Sequence, residues 1–330
     1  FSGRVVISGR PIQPCMLSLT LVSSLGLRVP AKRHSSASRC TQLAMKQPVY
    51  SADLADDNPD YTLISTTLLS QLLAVDQAAC STPPLPANLK NRYFALRHGQ
   101  SESNLEGVIS SAPAVGTVKH GLTAEGRLQA RQSATKLLDL VGRENLGSLA
   151  FVSSDFTRAW QTAEEALSAV SRIVAFEQQA CEYDETSRPG AGFDEARQQE
   201  CALLATPEEG VVRTPLLRER WFGELDGLPL KNYNQVWPRD LVSARHAHRG
   251  VEAVDEVCAR FRELVLSLEA EREGQCIVLA SHADTLQISQ CYVAGADPRS
   301  FSMYRFKNGE VRELLRAPSS LPAPVPLTYA

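Results

Sequence analysis

Apolar residues gather in three short runs, and each run stops at polar side chains with chemistry of their own. Tyr93-Phe94-Ala95-Leu96, Leu149-Ala150-Phe151-Val152 and Cys276-Ile277-Val278-Leu279-Ala280 are near-continuously apolar, the pattern of strands buried on both faces of a parallel sheet. Between them the apolar positions recur at helical spacing. Ala130, Ala134, Leu137, Leu138 and Val141 share one face of a helix that Thr123 can cap. Ala159, Ala163, Ala166, Leu167 and Val170 line a second helix, with Ser154 or Asp155 as its cap, and Arg158 then lies in its first turn. Val254, Val257, Cys258, Phe261, Leu264, Val265 and Leu268 make a continuous stripe on a third. Phe301 to Phe306 and Val311 to Leu315 predict a closing hairpin about Asn308-Gly309. Strands alternating with helices imply one α/β domain over 88–317, a three-layer α/β/α sandwich around a mostly parallel sheet.

Outside that span the pattern changes. Residues 1–50 read as a basic leader excluded from the fold: the first 52 residues carry seven Lys or Arg and no acid, as organelle transit peptides do. Chloroplast or mitochondrial targeting is therefore expected, with a cytoplasmic location as the alternative. Residues 51–87 read as an extension, with an apolar stretch over 61–80 able to form a helix and a Ser81-Thr82-Pro83-Pro84-Leu85-Pro86 linker after it. Leu105 to Gly121 is a loop rich in Ser, Gly and Pro. Residues 177–210 hold nine acids against two arginines and are expected to be an acidic surface insertion without regular structure. The Pro-rich tail, 318–330, is expected to be disordered.

Charge and composition narrow the chemistry. The net charge of -3 becomes about -10 once the basic leader is set aside, since 34 less 7 leaves 27 bases against 37 acids. An acidic body cannot neutralise many phosphates at once, which argues against a nucleic-acid partner. No apolar run reaches the ~20 residues of a membrane-spanning helix. The eight cysteines include no Cys-x-x-Cys pair and read as reduced thiols rather than a zinc site or disulfide scaffold. His246 and His248 lack a third ligand at suitable spacing and read as surface residues, while His120 reads as a turn residue.

The three strand ends carry Arg97-His98-Gly99, the Ser154-Asp155-x-x-Arg158 turn and Ser281-His282. In a parallel sheet those ends open on one edge and can converge on one pocket. Two guanidiniums and two imidazoles suit a phosphoryl group: Arg offers fork-shaped donors to its oxygens, and His can attack phosphorus or donate to an oxygen. No metal or cofactor is called for, because side chains meet the phosphoryl charge. The partner implied is a small phosphorylated substrate or a phosphoprotein.

The motifs Leu-Arg97-His98-Gly99-Gln-Ser-x-x-Asn104, Ser-x-x-x-x-Arg158-Ala-x-Gln-Thr-Ala, Leu-Arg-Glu219-Arg-x-x-Gly and Ser-His282 together resemble the histidine phosphatase superfamily, the phosphoglycerate mutase-like fold, over about 88–317. By that resemblance His98 is the nucleophile that becomes phosphohistidine, Arg97, Arg158 and His282 bind the phosphoryl group, and Asn104 supports it. Glu219 is then the acid that protonates the leaving oxygen and the base that activates water. An attacking imidazole must be neutral, and the charges of Arg97 and Arg158 favour that state. Partial burial would help Glu219 hold its proton, whereas Arg218 and Arg220 would oppose it.

Three departures qualify the resemblance. Ala283 follows His282 where the family usually has glycine, so its methyl could crowd the pocket. Trp221-Phe222 replace the His-Tyr of the cofactor-dependent mutases, and Trp237-Pro238-Arg239-Asp240 lacks their paired arginines. Hydrolysis of a phosphomonoester is therefore the leading expectation, ahead of a mutase-type phosphoryl transferase. A non-catalytic module that holds a phosphoprotein is a third reading, motivated by Ala283 and the acidic insertion.

Overall fold

The computed structural model describes residues 79–187 and 210–325, together with an antiparallel pairing of Thr62–Leu63 with Thr328–Tyr329. The basic leader, most of the 61–80 stretch and residues 188–209 of the acidic insertion lie outside the described residues. Five strands form the central sheet: β1 (Arg92–Arg97), β2 (Leu149–Ser154), β3 (Val212–Thr214), β4 (Cys276–Ser281) and β5 (Val311–Glu313). Their order is β3-β2-β4-β1-β5, with β5 antiparallel and every other pair parallel. Four long helices flank it: α1 (Ala124–Val141), α2 (Thr157–Ser187), α3 (Val254–Glu271) and α4 (Ala283–Ala294).

Side-chain alternation divides the core between the two sheet faces. Phe94, Leu96, Phe151, Val278 and Ala280 pack with Ala134, Leu137, Ala163, Ala166 and Val170 of α1 and α2. Tyr93, Ala95, Val152, Ile277 and Leu279 pack with Val257, Phe261, Val265 and Leu286 of α3 and α4. Strands covered on both faces must be apolar throughout, and β4 is buried at all six positions. The α3 stripe is buried along its whole length. Thr123 caps α1 by accepting the Gly126 N–H.

Several expectations need correction. Neither Ser154 nor Asp155 caps α2: the helix starts at Thr157, Ser154 Oγ accepts the Phe156 N–H at 3.2 Å, and Asp155 pairs with Arg218. The helix also runs to Ser187, so the first third of the acidic insertion continues its backbone rather than forming a loop. The closing hairpin does not form. Residues Pro298–Met303 make a tight helical turn against α4, because Pro298 cannot donate to a ladder and Asp297 caps the turn through the Arg299 N–H. Only the second half pairs, Val311–Glu313 running antiparallel to β1.

The Ser81–Pro86 linker is docked on the domain. Ser81 and Thr82 donate to the Asp255 carboxylate on α3, the Tyr292 hydroxyl donates to Pro83 O, and Leu85 is buried. Likewise the start of the tail is ordered: Pro318–Ser320 forms a turn, and the Val325 N–H donates to Met303 O at 2.8 Å. His246 is no free surface residue, since its Nε2 meets Asp240 Oδ1 at 2.6 Å. His120 adopts a left-handed backbone, with a φ of 55°, just past the turn at 117–118.

Candidate active site

Register places the three polar strand ends side by side. Arg97 of β1 lies opposite Ser281 of β4, and the His98 N–H extends that ladder by one residue, donating to Ser281 O at 3.0 Å. Ser153 of β2 lies opposite Ala280 of β4, so Ser154 comes alongside the start of α4, where His282 precedes the first turn. The side chains that follow these strands are thereby delivered to one edge of the sheet.

His98 is buried and oriented from both sides. Its Nδ1 lies 2.7 Å from Gly99 O. A carbonyl can only accept, so Nδ1 carries the proton and Nε2 keeps its lone pair. The Arg158 Nε–H points at that lone pair from 3.3 Å. Burial, then the charges of Arg158 and Arg97, hold the imidazole well below its ordinary range, against the Gly99 carbonyl that pulls the other way. His98 is accordingly neutral at physiological pH.

Arg158 enters from the first turn of α2 and is itself buried. Burial pulls its guanidinium down to about 10, while Glu219 counters with its negative charge, so Arg158 remains a cation at neutral pH. Its second anchor is Ser110, whose carbonyl accepts from a terminal guanidinium nitrogen at 2.8 Å. The loop that carries Ser110 is held in turn by Asp226, which accepts the Ala112 N–H at 2.9 Å and the Ser111 hydroxyl at 2.8 Å.

His282 lies against His98, with ring centroids 5.2 Å apart, and Phe156 packs edge-on to its ring. Its Nε2 meets Ser154 Oγ at 2.9 Å. Because Ser154 Oγ already accepts the Phe156 N–H, its hydroxyl proton is best placed on the imidazole side, leaving the proton of His282 on Nδ1. That Nδ1 is buried and meets no partner among the described residues. Burial, followed by the charges of Arg158 and the neighbouring groups, keeps His282 neutral as well.

Arg97 is half-buried, one terminal nitrogen donating to Phe306 O at 2.6 Å and its Nε meeting no partner among the described residues. Asn104 is reached indirectly. Its Oδ1 accepts from Ser101 N, and Asn308 donates both to His98 O at 3.0 Å and, at 3.4 Å, to that same oxygen. The carbonyl end of Asn104 is thus engaged in the backbone frame, and only its amide end remains to face a ligand.

Glu219 is buried, not on an exposed strand. Its Oε1 accepts the Arg220 N–H at 2.9 Å and, at 3.3 Å, the Thr285 N–H from the first turn of α4. Neither neighbouring arginine turns its guanidinium to it. Arg218 is bidentate on Asp155, and Arg220 is bidentate on Asp240 at 2.7 and 2.8 Å. Both neighbouring guanidiniums are thereby engaged with other carboxylates.

Three supporting residues were given no role in the site by the sequence reading: Ser110, Thr162 and Asn308. Thr162 Oγ1 accepts the Gly99 N–H at 3.1 Å. It lies one turn after Arg158, which was a usable signal. Ser110 carried none, because its role depends on where a loop returns. The methyl of Ala283 leaves the His282 ring on Ser154, and the residue adopts no positive φ. Among the described residues no group of His, Cys, Asp and Glu could hold a metal.

A probable phosphatase of the fission yeast Schizosaccharomyces pombe is 24% identical over 201 residues, covering 60% of this chain and 70% of that protein. Among solved structures, a mycobacterial glucosyl-3-phosphoglycerate phosphatase aligns with a TM-score of 0.47 at 21% identity, over 68% of this chain and 98% of its own. The alpha-ribazole phosphatase of Shigella flexneri aligns with a TM-score of 0.43 at 20% identity, over 67% of this chain and 88% of its own. The family model for the histidine phosphatase superfamily (branch 1) matches residues 93–200 and 194–321, which is more than half of the sequence, and the chain belongs to that superfamily.

Proposed function

We propose that this protein hydrolyses a phosphomonoester through a phosphohistidine on His98, with Glu219 as general acid and then general base. The observation that carries the reading is the state of His98: a neutral imidazole whose Nδ1 is fixed on Gly99 O and whose Nε2 faces the Arg158 guanidinium. A buried imidazole beside a cation would gain nothing as a structural element. It gains a role once an anionic phosphoryl group lies between them.

In the first half-reaction His98 Nε2 attacks phosphorus, the P–N bond forms, and the P–O ester bond breaks. Arg97, Arg158 and the His282 Nδ1–H meet the equatorial oxygens, where charge is spread in the transition state. Glu219 gives its proton to the departing alkoxide, so a neutral alcohol leaves. In the second half, water attacks the phosphohistidine, Glu219 takes a proton from it, and the P–N bond breaks to release phosphate. Every proton lent is returned.

The test is to mix the protein with an alkyl phosphate, quench in alkali, under which phosphohistidine survives, and locate the phosphoryl group by peptide mass. A burst of label on the peptide containing His98, absent from His98→Ala, is the expected result, together with loss of at least ~1000-fold of the turnover. Wild-type phosphate release by His98→Ala would overturn the reading. Transfer of the phosphoryl group to a second alcohol without free phosphate would make the protein a mutase instead.

A further inference from the structure

Among the described residues only His120 and Arg249 combine a side chain with a left-handed backbone. That conformation is costly without glycine and persists where the surrounding structure over-determines it. Around His120 it does. The Lys119 N–H donates to Val115 O at 2.8 Å, Gly121 donates its N–H to Glu102 Oε2 at 3.1 Å and accepts the Glu102 N–H at 3.0 Å, and the Leu122 N–H donates to Gln161 Oε1 at 2.8 Å. The chain is thus held on both sides of His120. Its imidazole is left only 16% exposed, with a partner at each ring nitrogen.

Those partners lead in opposite directions. Nε2 lies 3.4 Å from the carboxylate of Glu106, an exposed side chain, whereas Nδ1 lies 2.8 Å from Ser110 Oγ. A carboxylate only accepts, so in the neutral ring the proton is on Nε2 and Nδ1 accepts the Ser110 hydroxyl proton. The Ser110 oxygen then turns its lone pairs to Arg158, whose Nη1 approaches it at 3.4 Å while Nη2 donates to the Ser110 carbonyl at 2.8 Å. Arg158 Nε ends the series 3.3 Å from His98 Nε2. Without an acceptor at His120, the hydroxyl proton would be free to swing toward the guanidinium, which it would repel.

We propose that His120 is a positioning residue of the active site: by accepting the Ser110 hydroxyl it aims that oxygen at Arg158 and so sets the guanidinium where it meets a phosphoryl group beside His98. The inference rests on one part of the proposed function, Arg158 as a ligand of that group, and not on His98 carrying it. Two acceptors on Ser110 hold the guanidinium, and they are fixed by different means. The carbonyl belongs to the loop that Asp226 ties down through Ser111 and Ala112. The hydroxyl can rotate, and His120 is what stops it.

The experiment measures the Kd of inorganic phosphate by calorimetry, alongside kcat/KM for an alkyl phosphate, with thermal unfolding to check that each variant is folded. His120→Gly suits the left-handed backbone and deletes the imidazole, so phosphate affinity and kcat/KM should each fall roughly tenfold. His120→Asn tolerates the same backbone and puts a polar atom where Nδ1 stood, so it should recover most of that loss. Ser110→Ala should lose as much as His120→Gly, and the double variant no more than either, because both act through one hydroxyl. A merely structural role would give neither the rescue nor the coupling. Unchanged phosphate affinity in His120→Gly, or additive losses in the double variant, would overturn the role of His120. If the glycine variant does not fold, His120→Asn and His120→Gln decide: Gln ends where Nε2 stood and cannot serve Ser110, so equal phosphate affinity in the two overturns it. Phosphate binds without a covalent step, so these outcomes stand whether or not a phosphohistidine is trapped on His98.

Discussion

His98 and His282 are held neutral by the fold, and that arrangement has a stability consequence. Burial is the first cause in both, and the charge of Arg158 the second. The folded values lie well below the ordinary 6.5, so between those values and 6.5 the unfolded chain binds more protons than the folded one. Stability contributed by the neutral pair is therefore fully present above pH 6.5 and is lost as the solution is acidified below it, by up to about 1.4 kcal/mol per pH unit for each histidine. Unfolding midpoints in urea measured from pH 8 to 5 should fall on the acid side of 6.5. His282→Gln, which cannot titrate, should reduce the slope by about half. A slope that is the same in both proteins would show that His282 is not held neutral by the fold.

The elements that carry these residues approach one another at their backbones. Gly99 follows His98, and a side chain there would overlap the carbonyl of Gly126 in the first turn of α1; a methyl on Gly126 would overlap the carbonyl of Gln100. The glycine after His98 thus serves close contact between a loop and a helix. Gly126→Ala would ordinarily favour a helix, by roughly 1 kcal/mol. Here it should instead destabilise by about 1–3 kcal/mol, because α1 must shift off the loop, and it should lower kcat by displacing His98 from Arg158. Urea unfolding and steady-state kinetics on the same preparation check both, and a more stable variant would refute the packing argument.

The same elements show what could be read in advance. β1, β2, β4 and the α3 stripe were legible because burial on both faces leaves runs or periods that nothing else mimics. α4 was not, because Asp284, Thr285, Gln287, Ser289 and Gln290 are all buried and erase any stripe. His98, Arg158 and His282 announced themselves at strand ends. The partner of Arg158 on the Ser110 loop, and that of Glu219 on α4, depend on contacts across more than forty residues, which no local pattern encodes.

At the scale of the whole molecule, the segment before β1 belongs to the domain it precedes, and Asp255 is what holds it. Cys80, Ser81 and Thr82 all direct hydrogen bonds at that one carboxylate, and Leu85 beyond them is buried in the core that α3 and α4 share. Burial alone would raise the Asp255 carboxyl. The bonds from Ser81, Cys80 and Thr82 outweigh it and draw the group down to about 2. The anchor is therefore intact above the ordinary carboxyl range and weakens only as pH falls toward 2. Replacing Asp255 with Ala leaves the Ser81 and Thr82 N–H groups without their acceptor while Leu85 keeps its burial, which is worth ~1.5–3 kcal/mol by itself. The segment should loosen at its start without leaving the core. Amide hydrogen exchange at neutral pH should then show Ser81 and Thr82 exchanging at least tenfold faster in Asp255→Ala, with β1 and β4 protected as before. If β1 and β4 lost protection to the same extent, the segment would be an integral part of the global fold. If Ser81 and Thr82 kept their protection, the carboxylate would not be the anchor.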